Sequence, residues 1–183
     1  MQGDVPLKAG GFCLNAAGNW HAFAWGYKRA ADILAEHVSA AVSGGDLIIY
    51  PIVFLYRHHL ELTLKDIIRR GNELLDAPVS QRGNHSLGEL WKDCRSMLER
   101  AGMPVDIPEV PEAVPFETCI EEFERLDPQG VSFRYPEEKS GTPILLPGLD
   151  SIDLSNLRKV VERMSFFLEI TRDAIVERTG ISR

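Results

Sequence analysis

At 183 residues and 20.5 kDa the chain has the size of a single domain, long enough to bury one substantial core. Hydrophobic residues make up 44% and charged residues 26%, which excludes a disordered or fibrous protein. The formal net charge of −7 argues against broad nucleic-acid or DNA binding, because the molecule as a whole repels polyanions.

From Asn19 to Val42, Trp20, Phe23, Ala24, Tyr27, Ala30, Ala31, Leu34, Val38 and Ala41 recur at spacings of three and four, the pattern of an amphipathic helix. Gly44-Gly45 ends it, with Asp46 as N-cap of the next. That second helix is expected from Leu47 to Arg70, with Pro51 early enough for its missing N–H to be tolerated. At about 100° per residue, Ile49, Val53, Tyr56, Leu60, Leu64 and Ile67 form one stripe. Ile48, Leu55 and Leu62 fall on one flank, Tyr50, Phe54 and Ile68 on the other. A helix apolar on several sides lies at the centre of a bundle or is shared with a partner chain.

After Gly71, turn-forming residues including Pro78 and Gln81-Arg82-Gly83-Asn84 predict a loop. A third helix, Ser86 to Ala101, gathers Leu87, Leu90, Trp91, Cys94 and Leu98 on one face, and Ser86 with Glu89 reads as a capping box. Gly102 and Pro104 stop it, and Pro104, Pro108, Pro111 and Pro115 predict an extended connector. A short helix follows from Phe116 to Leu126.

Between Asp127 and Leu149, Pro128, Gly130, Pro136, Gly141, Pro143, Pro147 and Gly148 predict a loop or at most a short hairpin, and a loop of this length is often functional. The last helix starts at Asp153, carries Leu154, Leu157, Val160, Val161, Met164, Phe167, Leu168, Ile170, Ile175 and Val176, and closes at Gly180 after Thr179. These elements predict an all-α, up-and-down bundle of four to five helices, one domain over residues 1–183, with a long Pro/Gly-rich loop before the last helix.

No window approaches the roughly 18 apolar residues of a membrane span, and the N-terminus lacks a basic segment followed by an apolar run, so a cytoplasmic chain is expected. Cys13, Cys94 and Cys119 lie far apart without a CxxC pair and are expected to be reduced. P-loop, GxGxxG, HExxH and GxSxG patterns are absent, so no cofactor or metal is implied. A local basic site from Arg69, Arg70 and Arg82 stays open.

On the second helix Arg57, Glu61 and Lys65 recur every four residues and form a charge ladder. It is either a solvated salt-bridge row or a partly buried fixture that positions a loop or ligand. His58 and His59 point about 100° apart and cannot share a metal ion, yet either can pair with His85. Two histidines and Arg57 are the groups needed for acid–base cleavage of a phosphodiester; the competing reading is that the histidines are structural. Phe133-Arg134-Tyr135-Pro136 in the long loop reads as a lid that docks its aromatics, from which Arg134 would reach Glu61 or an anionic ligand.

Three groups, "YRHHLELTLKDII", "NHSLGELW" and "FRYP", together resemble the HEPN superfamily of prokaryotic helical-bundle proteins. The residues that carry the likeness are Glu61-Leu62-Thr63-Leu64-Lys65, His85-Ser86-Leu87-Gly88-Glu89-Leu90 and Arg134-Tyr135-Pro136. The resemblance implies a helical bundle that dimerises, with members acting as ribonuclease toxins, nucleotidyltransferase partners, or phage-defence and stress-response modules. HEPN ribonucleases place a histidine four to six residues after an arginine, and no arginine here has one. The expectation is therefore a non-catalytic, homodimeric binding module for a protein partner, nucleotide or RNA, with Arg57, Glu61, Lys65, His85, Arg134 and Tyr135 as ligand-binding residues. The alternatives are a metal-independent ribonuclease using Arg57 and His58, His59 or His85, and an accessory subunit of a nucleotidyltransferase.

Overall fold

The computed structural model describes residues 18–40, 45–78, 83–105, 114–128, 130–137, 140–144 and 151–180. Among these the protein is a bundle of five helices: α1 (Trp20–Ala40), α2 (Gly45–Leu74), α3 (Leu87–Arg100), α4 (Phe116–Leu126) and α5 (Leu154–Thr179). The single β-type pairing among the described residues is an isolated bridge between Glu137 and Pro143 in the long loop.

Helix α2 is the axis, packed against α1, α3 and α5, while α4 packs on α3. Contacts of Ala24 with His59 and of Asp32 with Tyr56 show that α1 runs antiparallel to it. The stripe Val53, Tyr56, Leu60, Leu64 and Ile67 is buried, as are Ile52 and Ile68. Leu87, Leu90, Trp91, Cys94 and Leu98 meet it from α3, and Val161, Met164, Phe167, Leu168 and Ile175 from α5. Trp91, Phe116 and Phe167 form an aromatic knot between α3, α4 and α5, with ring centroids 4.5 to 6.2 Å apart.

Helix ends follow local chemistry where a capping residue exists. Ser86 Oγ accepts the Glu89 N–H, but the reciprocal half of the expected box is absent. Glu89 instead holds Lys92, and the Ser86 N–H donates to Asn84 Oδ1. Asp153 caps α5 through the Asn156 N–H, and Gly180, left-handed at φ 64°, closes it. At the start of α2 the expectation fails: the helix begins at Gly45, so Asp46 is inside it rather than its cap, and Pro51 lies beyond the first turn.

The α1 apolar pattern is also only partly a core pattern. Ala24, Ala31 and Ala35 are buried, whereas Trp20 and Phe23 are exposed. Small residues let α1 approach α2 closely, and the larger ones are left at its margins. Cys94 and Cys119 are buried free thiols; Cys13 and Arg82 lie outside the described residues. Among the described residues no helix is long and apolar enough to cross a membrane.

Candidate functional site

The charge ladder is the centre of a buried polar hub. Glu61, 3% exposed, receives Lys65 Nζ at 2.7 Å on Oε1 and Arg57 Nη1 at 3.4 Å on Oε2. His85 Nδ1 comes from the segment before α3 to within 2.9 Å of Oε1, and His58 Nδ1 lies 3.8 Å from Oε2. Burial alone would raise the Glu61 carboxyl, but hydrogen bonding from His58, Lys65 and His85 outweighs it and holds the pKa at about 2. Glu61 is thus a fixed anion on which four side chains converge.

Arg57, 1% exposed, spends all three guanidinium nitrogens inside the protein. Nε donates to the Asp127 carbonyl at 3.1 Å, Nη2 to the His85 carbonyl at 2.8 Å, and Nη1 to Glu61. Asp127 completes the pocket: its Oδ2 is 3.5 Å from Arg57 Nε, and its Oδ1 accepts the N–H groups of Val131 and Ser132. Sequence reasoning passed over Asp127 as a mere loop start. An aspartate followed by Pro128 and Gly130 at a helix end is the available signal for such a side-chain-organised turn.

His58 and His59 separate as their angular offset requires. His58 stays on the hub side, edge-on to Tyr27 at 4.5 Å and stacked on Phe54 at 5.6 Å. His59 faces α1 and α5, its Nδ1 2.9 Å from the Ala24 carbonyl and its Nε2 2.8 Å from Ser165 Oγ. A carbonyl only accepts, so Nδ1 carries the proton and Nε2 accepts the serine hydroxyl: the neutral tautomer with both nitrogens satisfied. Burial, reinforced by nearby Lys28, brings its pKa down to about 4 despite the bond to Ala24.

The FRYP segment docks in part. Phe133 is buried and 6.3 Å from the Tyr50 ring, but Tyr135 is 55% exposed. Arg134 lies over Phe54 at 5.6 Å and over Tyr135 at 5.4 Å, and forms no ion pair with a described residue. It therefore approaches the hub through Phe54 and His58, not through Glu61. His85, Arg134 and Tyr135 are exposed and His58 is half-buried; His85 is linked to His58 through Glu61, and Arg134 through Phe54.

A second buried carboxylate, Asp66 at 1% exposure, gathers Arg69, Arg70 and Arg172 at 2.9 to 3.0 Å. Arg69 and Arg70 lie one helical turn along α2 from Asp66, and Arg172 comes from α5. Among the described residues no three His, Cys, Asp or Glu side chains are grouped to hold a metal ion. Comparison of the chain with family models, curated proteins and solved structures finds no match.

Proposed function

We propose that this chain is a non-catalytic, HEPN-like binding module of the cytoplasm, working as a homodimer in a toxin–antitoxin, phage-defence or stress-response setting. One observation carries the non-catalytic part. A guanidinium that stabilises developing charge must meet the substrate, and all three nitrogens of Arg57 are bonded within the interior. The FRYP segment instead offers an arginine over aromatic rings beside an exposed tyrosine, a surface suited to a nucleotide or a short single strand of RNA.

The dimer rests on the α1/α2 face. Ile48, Leu55 and Leu62 run along α2 at seven-residue intervals and are only half-buried. The Tyr27–His58 contact aligns with them the α1 row Phe23, Tyr27, Ala30 and Leu34, in which Phe23 is 49% exposed. A half-buried apolar face of this extent fits a two-fold contact between copies.

A second reading has its own support. The Glu61 carboxylate fixes the Nδ1–H tautomer of His85, whose ring is largely exposed and whose Nε2 is left to accept a proton. That pair would serve a metal-independent ribonuclease. Incubation with RNA of the wild type and of His85→Ala separates the two: we expect intact RNA from both, and cleavage that disappears in the variant would replace the first reading with the second. Light scattering should give a dimer at micromolar concentration; a monomer would remove the dimer from the proposal.

A further inference from the structure

Away from the hub, α1 and α5 enclose a groove of about 750 Å³, continuous with a smaller one of about 230 Å³ through shared residues. That volume is in the range of small-molecule sites. Three of its carboxylates are drawn into ion pairs, two of them sharing one lysine. Asp32 holds Lys28 at 3.0 Å, Glu162 holds the same Lys28 at 2.6 Å, and Glu36 holds Arg158 at 3.0 Å.

The remaining cations have no such partner. Arg29 and Lys159 line the groove together with Asp32, Glu36 and Glu162 but form no ion pair with a described residue. Arg163 gives its Nη2 to the Val114 carbonyl and to Cys119 Sγ, and its Nε is buried without a bond. A chain of net charge −7 thus keeps in one groove three cations, Arg29, Lys159 and Arg163, that stand in no ion pair among the described residues. Beside them two large aromatic side chains stand in water, Trp25 at 56% and Phe166 at 59% exposure.

We infer that the α1/α5 groove binds a small phosphorylated ligand that carries a flat ring. The phosphate takes Arg29, Lys159 and Arg163, for which guanidinium forks and an ammonium are the matching donors. The ring lies on Phe166 or Trp25, whose exposed faces supply the apolar contact. This site shares no residue with the Glu61 hub or the FRYP segment.

The test titrates the purified protein with phenyl phosphate, adenosine monophosphate and inorganic phosphate, read by calorimetry and by the fluorescence of Trp25 against a Trp25→Phe control. Saturable binding of the two ring-bearing probes is expected, with inorganic phosphate weaker. The double variant Arg29→Ala/Lys159→Ala, at two exposed positions, should weaken all three by about tenfold or more. Phe166→Ala should weaken only the ring-bearing probes, and Arg134→Ala should change none. Absence of saturable binding, or binding that survives in the double variant, overturns the site. Equal binding of inorganic phosphate and the ring-bearing probes overturns the ligand class, and a loss in Arg134→Ala moves the binding to the FRYP segment.

Discussion

Gly130 lies so close to Arg57 that a β-carbon added there would sit 2.7 Å from Nη1, and its φ of 71° is in the left-handed region. Both conditions demand glycine. Gly130→Ala should destabilise the protein by about 2–3 kcal/mol in urea unfolding. A loss within experimental error would mean that the loop after α4 does not bear on Arg57 in solution.

Removing the hub anion should be more damaging. Glu61→Gln leaves Arg57 and Lys65 facing a neutral amide, with an expected cost of about 3 kcal/mol or more. The pH dependence has a definite sign. The folded carboxyl titrates near 2 against an ordinary value of 4.5, so its contribution is present above 4.5 and is lost as pH falls from there towards 2. Acid unfolding followed by circular dichroism should be shallower across that window in the variant; an unchanged profile would show that Glu61 is not held as an anion.

His59 acts over a higher range. Its folded pKa near 4 lies below the ordinary 6.5, so between these values the unfolded chain binds the extra proton and stability falls as pH falls. His59→Gln should be less stable at neutral pH yet lose less between pH 6.5 and 4. Denaturant midpoints across that range check this, and parallel curves for both proteins would count against a buried neutral imidazole.

A β-carbon on Gly71 would run into Met97, a 2%-exposed side chain of α3. Gly71→Ala should cost about 1–3 kcal/mol, and Met97→Ala should relieve part of it, giving a non-additive double-mutant cycle. Strict additivity would separate the two residues.

Leu62 is half-buried and lies outside the main hydrophobic cluster, so Leu62→Lys should leave the fold intact. In the proposed dimer it should produce monomers in light scattering. A variant that stays dimeric would move the contact away from the α1/α2 face.

Much of the architecture was legible because the information is local. The ends of α3, α4 and α5 follow Ser86, Pro115, Asp153 and Gly180, each within a turn of the helix it bounds. The start of α2 was not, since Gly45 carries no side-chain signal and the apolar pattern begins only at Leu47. At the site, the i,i+4 ladder Arg57–Glu61–Lys65 was readable from spacing, and its burial was not. Burial depends on Asp127 and the His85 carbonyl, which lie 70 and 28 residues along the chain from Arg57. Trp20, Phe23 and Ile170 show the same limit in reverse: periodicity assigns a face to a helix, but packing decides whether that face is covered.

The reach of Arg57 also bears on synthesis. A nascent chain that has not yet released Asp127 from the ribosome holds a guanidinium in its interior with one of its three anchors missing. The first three helices can collapse around α2 by then, but their charged centre stays hydrated until α4 and the turn beyond it emerge. Final closure of the bundle therefore waits for the residues that follow Asp127.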